Sequence, residues 1–422
     1  MSLELKSYKG TRDVYPEDMR VRNYIFNTFR NTLQSFGYEE YTAPTIEPIE
    51  LYAAKTGEEI VNEQTYSFSD RGNRKVAIRP EMTPSIARMV AARRQEMPYP
   101  ARLFSVANFM RYEQPQKGRE REFWQINYDV FGSNSIKSDV EVITIADASM
   151  KALGAKENMY NIKINDRELI DWFMKDYLKL DDKKALGMIK LLDRKAKMNA
   201  EDFNKTAIEI IGTERLGKVN DLFSIESIDL APEWLVNSGK FNRINDVYNQ
   251  LNNSGVKVEF DMTIMRGFDY YTGVVFEVFD NNPNNNRSMF GGGRYDGLVG
   301  LFGVEDLPVV GAAIGETTMI EFLKTWELLP RLKPSTQVFI VELDNADSSK
   351  IARKLRAKGV NVAIESVDRK IDKTIKSVSK MGLEWLLFVG EDELKTGRYK
   401  LKNLLTREEN DLSIDEIVEK VL

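Results

Sequence analysis

The sequence predicts an α+β protein, and three observations support this fold class. Residues 102–110 and 123–131 are strand-like and flank a polar loop, which is typical of a long-looped antiparallel hairpin. Residues 166–253 have the pattern of amphipathic helices and lie between two strand-rich segments. After residue 336, strand-like and helix-like segments alternate, as they do in a small α/β domain.

These observations predict two domains joined by a short linker. The first is an antiparallel sheet with flanking helices and a helical insertion, and the second is a small α/β domain. The predicted limits are 1–325 for the first domain with its insertion at about 166–255, 326–335 for the linker, and 336–422 for the second domain.

The composition limits the chemistry available to the protein. There is no cysteine and no histidine, so disulfides, cysteine nucleophiles, the usual zinc ligands and the usual general base are excluded. Any reaction must use charge stabilisation, carboxylates or a metal held by oxygen atoms. The N-terminal residues are polar, and no apolar run approaches the length of a membrane span. We therefore expect a cytoplasmic protein with no membrane partner.

The first predicted helix follows an irregular entry segment. Pro16 begins it, and the acids Glu17 and Asp18 suit the positive end of the helix dipole. Apolar residues then recur every three or four positions until Gly37 stops the helix. A strand is expected at 38–44.

A strand-to-helix junction is predicted around residue 80. Residues 66–78 form a short hairpin with Gly72 and Asn73 at its tip, and R-P-E-M-T-P follows at 79–84. The junction places Glu81 and Thr83 where binding groups often lie, although such residues more often only begin a helix. A further helix is expected at 138–153, capped by Ser138.

The central hairpin carries a polar face. Arg111, Glu113, Gln125 and Asp129 have odd numbers, so those within each strand share a face. A guanidinium, two carboxylates and an amide are costly to bury together without a ligand. The alternative is a solvated hairpin face.

Two later segments are ambiguous by themselves. In M-R-G-F-D-Y-Y-T-G at 265–273, Arg266 stands beside a glycine that allows close approach of a ligand, and Tyr270 and Tyr271 follow. Residue patterns alone favour a plain hairpin with an arginine salt bridge. Residues 289–299, M-F-G-G-G-R-Y-D-G-L-V, are expected to form a glycine-rich turn, which is not a Walker loop.

Together these runs resemble the histidyl-tRNA synthetases, a family of class II aminoacyl-tRNA synthetases. F-M-R-Y-E-Q-P-Q-K-G-R-E-R-E-F-W-Q at 109–125 resembles motif 2, and R-G-F-D-Y-Y-T-G at 266–273 resembles the histidine-binding signature. The helix and strand at 16–44 resemble motif 1, and 308–323 occupies the place of motif 3.

The resemblance implies a class II synthetase antiparallel sheet followed by an anticodon-binding domain. It implies a histidine–tRNA ligase with tRNA(His), histidine and ATP as partners, ATP being used as a substrate with Mg²⁺ and no organic cofactor. It further implies a homodimer formed through motif 1 and an insertion that contacts the tRNA acceptor arm. One alternative is an inactive synthetase-like regulatory subunit of histidine biosynthesis, and another is a simple tRNA-binding protein.

The resemblance also implies roles for individual residues. Arg111 and Arg266 would stabilise charge during catalysis. The histidine-binding residues would be Glu81, Thr83, Gln125, Asp129, Arg266, Tyr270, Tyr271 and Tyr295. Arg111, Glu113 and Arg119 would bind ATP, and Gln116 and Lys117 would contact the tRNA acceptor end. No resident metal site is implied.

The chain departs from the family pattern at two positions. Asp129 stands where many relatives have glutamate. Thr318 stands where most relatives have an arginine that binds the γ-phosphate of ATP, and Arg119, Arg121, Arg294 or Mg²⁺ are the candidate replacements.

Charge is unevenly distributed along the chain. The net charge is −5, yet residues 350–380 contain ten Lys/Arg and three Asp/Glu. A nucleic-acid binder of acidic composition needs such a local basic surface. The alternative is a solvated helix face, the commoner explanation of a charge run.

Overall fold

The computed structural model describes residues 4–53, 64–114, 120–195, 198–225, 227–264, 270–285, 288–343, 346–367 and 370–422. The chain divides into two compact units, Met1–Val14 with Arg22–Leu329 and Tyr15–Val21 with Pro330–Leu422. No helix in the described ranges is long and apolar enough to cross a membrane.

The first eleven strands belong to the larger unit. They are β1 (Glu39–Glu40), β2 (Ile46–Pro48), β3 (Ser67–Ser69), β4 (Lys75–Ile78), β5 (Ala101–Met110), β6 (Glu122–Phe131), β7 (Tyr160–Asp166), β8 (Glu259–Phe260), β9 (Val274–Asp280), β10 (Ser288–Arg294) and β11 (Val309–Gly315). The α-helices before residue 326 are α1 (Pro16–Ser35), α2 (Glu50–Ala53), α3 (Thr83–Ala92), α4 (Ile136–Ala152), α5 (Arg167–Trp172), α6 (Asp182–Asp193), α7 (Ala200–Ile211), α8 (Thr213–Phe223), α9 (Glu233–Val236), α10 (Asn242–Asn253) and α11 (Glu316–Thr325).

The large sheet organises this unit. Within the described ranges its eight strands run in the order β1-β5-β6-β11-β10-β9-β7-β8. The six inner strands pair antiparallel, and only the short edge strands β1 and β8 pair parallel to their neighbours. The predicted hairpin is confirmed, because β5 and β6 pair from Ala101↔Phe131 to Met110↔Glu122. The predicted sheet with flanking helices is therefore confirmed.

The helical insertion is confirmed as α5 to α10, with a π-helical turn at Phe173–Tyr177. Three of its helices begin at polar caps: the side chains of Asp166, Asp181 and Asn199 accept backbone N–H bonds at the starts of α5, α6 and α7.

One predicted turn is wrong. The glycine-rich run from Ser288 to Arg294 is strand β10 inside the sheet, between β9 and β11. A Cβ on Gly293 would lie 2.7 Å from the Val274 carbonyl oxygen and 2.9 Å from the Tyr271 ring. The glycine is needed for close packing within a strand rather than for a turn.

Two smaller predictions are also corrected. Helix α4 is capped by Ser135, whose hydroxyl accepts from the Lys137 N–H at 3.2 Å, while Ser138 already lies inside the helix. The strand expected at 38–44 is only Glu39–Glu40, paired with β5.

The smaller unit has a sheet of its own. Its strands are β12 (Val338–Glu342), β13 (Val362–Ile364), β14 (Trp385–Val389), β15 (Tyr399–Asn403) and β16 (Glu409–Leu412), and its helices after residue 330 are α12 (Ser349–Ala357), α13 (Ile371–Lys380), α14 (Glu391–Thr396) and α15 (Ile414–Val421). The order is β13-β12-β14-β15-β16, with the first three strands parallel. The predicted alternation is confirmed there, whereas the antiparallel β15 and β16 were not predicted.

Candidate active site

A cavity of about 360 Å³ opens over β6, β10 and β11 of the large sheet. Nine predicted site residues line it: Glu81, Thr83, Arg111, Glu113, Gln125, Asp129, Tyr270, Tyr271 and Tyr295. The other four, Gln116, Lys117, Arg119 and Arg266, lie outside the described residues. The fold thus brings together side chains from four separate stretches, and their individual roles stay predictions.

Strand register explains the floor of the cavity. On β6, Gln125, Asn127 and Asp129 project into it, and their partners on β11 are Gly315, Ala313 and Gly311. Long polar side chains on one strand therefore stand beside very small ones on the next, which leaves room above the sheet. A Cβ on Gly311 would lie 1.9 Å from Asp129 Oδ1.

Asp129 lies at the buried end of the cavity. It is 5 % exposed, and its Oδ1 accepts a hydrogen bond from the Tyr295 hydroxyl at 2.5 Å. Burial raises the pKa of Asp129 to about 7, and the Tyr295 bond opposes that rise. The carboxyl is therefore poised to exchange a proton, or to accept a hydrogen bond, near neutral pH.

One wall combines aromatic rings with a carboxylate. The Tyr270 hydroxyl donates to Glu81 Oε2 at 3.4 Å, and Glu81 is 4 % exposed. The Tyr270 ring packs against Tyr271 at 5.0 Å and edge-on to Tyr295 at 5.7 Å between centroids. This wall can surround a flat polar ring and bind an ammonium group at Glu81.

Arg111 follows the end of β5 and lines the cavity. Its Nε donates to the Pro80 carbonyl oxygen at 3.0 Å, and its guanidinium lies 5.3 Å from the centre of the Phe123 ring. Because the side chain is anchored at both places, its charge has a fixed position. A fixed guanidinium suits a carboxylate or phosphate ligand.

Glu316 is a site residue that sequence reasoning missed. It begins α11, is 2 % exposed, and binds Arg12 at 3.0 Å and Arg22 at 2.9 Å. Arg12 also contacts Glu120 at 3.1 Å, and both glutamates line the cavity. Burial raises the pKa of Glu120, and Arg12 opposes that rise. Arg12 stands in K-G-T-R-D, an irregular entry segment, so the only sequence signal was an arginine among turn residues.

Comparisons with known proteins place this chain in a family. The model of the histidyl-tRNA synthetase family matches residues 10–321, and an anticodon-binding domain model matches 337–422. The chain belongs to the histidyl-tRNA synthetase family. The family predicted from the sequence is therefore confirmed.

Full-length relatives agree with this assignment. The histidine–tRNA ligase of Leptospira biflexa is 41% identical, with 99% of this chain and 98% of the relative covered. That of Pyrococcus furiosus is 36% identical, with 98% of each covered. A histidyl-tRNA synthetase crystal structure from Nostoc sp. PCC 7120 shares the fold at a TM-score of 0.84 and 24% identity, covering all of both chains. The predicted class II synthetase fold is confirmed, and the regulatory-subunit alternative is not favoured.

In the motif 3 segment, Thr318 stands at the position where arginine was expected. Thr318 lines the cavity, and its hydroxyl lies 3.0 Å from the carbonyl oxygens of both Met289 and Gly315. Arg294 is 3 % exposed and binds Asp139 through two bonds of 3.1 Å. Arg121 lies 4.0 Å from the Tyr112 ring centre and donates to the Glu113 carbonyl oxygen.

Neither Arg121 nor Arg294 is among the residues that line the cavity, and their role as replacements stays a prediction. Both guanidiniums instead connect parts of the fold. Arg119 lies outside the described residues.

Proposed function

We propose that this cavity carries out the histidine–tRNA ligase reaction. Histidine and ATP give histidyl-adenylate and pyrophosphate, and the histidyl group then passes to the 3′ end of tRNA(His). The observation that carries the proposal is the convergence of nine predicted site residues in one cavity of a chain that matches histidine–tRNA ligases over its full length.

The buried end of the cavity would select histidine. Asp129 and Tyr271 would bind the two imidazole nitrogens, with Tyr295 holding Asp129 in place. Glu81, Thr83 and Gln125 would surround the substrate amino group, and Tyr270 would orient Glu81. A pocket that hydrogen-bonds a polar side chain rejects analogues lacking it by large factors, so selection needs no editing domain.

The outer end would bind ATP and stabilise charge at phosphorus. The histidine carboxylate attacks the α-phosphorus in line, and a carboxylate needs no deprotonation by the protein. The protein must therefore position two anions and offset their charge, which is the role proposed for Arg111 and Arg266, with Glu113 and Arg119 at the nucleotide.

Five described carboxylates and one described arginine line the cavity, so ATP binding needs further positive charge. The carboxylates are Glu81, Glu113, Glu120, Asp129 and Glu316. Part of that positive charge comes from Arg12, which offsets the negative charges of Glu120 and Glu316, and from Arg22, which also pairs with Glu316. Mg²⁺ would enter with the ATP phosphates, and the carboxylate oxygens of Glu113 and Glu120 suit an ion commonly held by one or two carboxylates and phosphates.

The remaining parts of the chain would serve the tRNA. We assign Gln116 and Lys117 to the acceptor end, the insertion at 166–255 to the acceptor arm, and the domain at 336–422 to the anticodon. Two chains would pair through the α1 region in the cytoplasm.

Histidine-dependent exchange of pyrophosphate into ATP tests the first step, and charging of tRNA(His) tests the second. Both should occur with histidine and fail with other amino acids. A folded protein that binds histidine but shows no exchange would favour the regulatory-subunit alternative.

A further inference from the structure

Asn127 stands on β6 between two residues already assigned to histidine. It lines the cavity and is 6 % exposed. Its Nδ2 is buried and has no hydrogen-bond partner among the residues that the structure describes. An amide donor buried in this way normally has a partner, because leaving it without one is costly. The position therefore points to a group that arrives with the substrate.

The two residues opposite Asn127 make no hydrogen bond to its Nδ2. In the sheet register it lies opposite Ser105 on β5 and Ala313 on β11. Ala313 has no polar side chain, and no bond to the Ser105 hydroxyl satisfies Nδ2. The cavity that Asn127 lines is the other side from which a partner can reach it.

Strand spacing shows which end of histidine would reach Asn127. Side chains on one face of a strand recur every ~7 Å, which is close to the length of a histidine molecule. With the imidazole at Asp129, the α-carbon lies one repeat back along β6, beside Asn127. The α-carbon carries an ammonium, which only donates hydrogen bonds, and a carboxylate, which only accepts them.

We propose that Asn127 Nδ2 donates a hydrogen bond to the α-carboxylate of bound histidine, to the oxygen that does not attack phosphorus. Glu81 and Thr83 then serve the ammonium, so each charged group of the amino acid has a partner of the right kind. The same bond persists at the carbonyl oxygen of the adenylate. Asn127 is in this way a substrate-binding residue of the reaction proposed above, on which the assignment rests.

The test compares histidine with histidinol, in which an alcohol replaces the carboxylate. Dissociation constants for both are measured by calorimetry on the full-length protein without ATP. Asn127→Ala should raise the dissociation constant of histidine about 10- to 100-fold, the usual range for losing a bond to a charged group. The dissociation constant of histidinol should stay within about twofold of the wild-type value. Asn127→Asp should weaken histidine binding further, because the new carboxylate repels the carboxylate of histidine. Histidinol binding should be unchanged or tighter.

Ser149→Ala is the matched control, because Ser149 also has a buried hydroxyl without a partner among the described residues but lies on α4, away from the cavity. It should change neither constant. Equal losses for histidine and histidinol, or no loss for histidine in Asn127→Ala, would overturn the assignment. Wild-type protein that binds histidine but shows no pyrophosphate exchange would overturn the proposed function alone, and wild-type protein that does not bind histidine would overturn both.

Discussion

Tyr295 donates a hydrogen bond to Asp129 at 2.5 Å across 166 residues of chain. Tyr295 follows β10, and Asp129 lies on β6, so the strand β11 runs between their two strands. The bond fixes the direction of a carboxyl group that burial makes costly to ionise. The direction of Asp129 thus depends on a residue from a distant part of the chain.

Replacing Asp129 with asparagine should change how stability depends on pH. Burial raises the pKa of Asp129 to about 7, against about 3.9 in an unfolded chain. Between these values the folded protein binds a proton that the unfolded chain does not, so the free energy of unfolding falls as pH rises from ~4 to ~7. Asp129→Asn should remove the part of this decrease in unfolding free energy that is due to Asp129. Urea unfolding midpoints measured between pH ~4 and ~7 would show the difference. Asp166, whose pKa burial also raises to about 7, remains in both proteins. Parallel profiles for the two proteins would contradict the assignment.

Gly311→Ala should damage the histidine site and also destabilise the β6–β11 pairing, because the added Cβ would lie 2.7 Å from the Tyr128 carbonyl oxygen. The added Cβ would stand 1.9 Å from Asp129 Oδ1, so the carboxyl must move. We expect KM for histidine to rise about tenfold or more, which corresponds to ~1.4 kcal/mol of binding. Gly217→Ala on α8 is the control, because its Cβ would meet no atom within 4 Å, and it should leave KM unchanged. An unchanged KM in Gly311→Ala would show that histidine binding does not depend on the position of the Asp129 carboxyl group.

Arg111→Ala should slow adenylate formation. Removing a fixed donor that stabilises developing charge typically costs about 10²- to 10³-fold in rate. Histidine-dependent pyrophosphate exchange is the measurement. Arg93→Ala provides the comparison, since Arg93 is 77% exposed and is not among the residues that line the cavity. Near-normal exchange in Arg111→Ala would remove Arg111 from the charge-stabilising role.

Lys376→Glu should impair the charging of tRNA and leave adenylate formation unchanged. Lys376 is an exposed residue of α13, in the basic stretch at 350–380. If this surface binds tRNA phosphates, kcat/KM for tRNA should fall severalfold, and its salt dependence should become shallower by about one unit of slope. Pyrophosphate exchange should be unchanged. Lys395→Glu makes the same charge change on α14, outside the basic stretch, and should affect neither reaction. Equal losses in both reactions for Lys376→Glu would argue against tRNA binding by this surface.

Local patterns were enough to predict most secondary structure elements. The β5–β6 hairpin follows from strand-like periodicity on both sides of a polar loop. The strand β14 at Trp385–Val389 is a short apolar run between turn residues, which is the kind of pattern that predicted the alternating segments after residue 336. Patterns failed for β10, where glycines typical of a turn stand inside a sheet. The strand β15 was not predicted, although its buried Tyr399 and Leu401 alternate with exposed or half-exposed lysines, as in a strand with one buried face.

The sequence by itself determined the fold class, the family and the residue types of the cavity, because these depend on periodicity and on motifs with fixed spacing. Only the tertiary structure decided which distant groups meet. In the folded chain, Tyr295 donates a hydrogen bond to Asp129. Arg294 forms an ion pair with Asp139, and Arg12 forms one with Glu316. These pairings depend on strand order and register, which are set by packing between residues far apart in the chain. A charged residue has the same letter in the sequence whether it binds substrate or supports the fold, and only its three-dimensional neighbours separate the two.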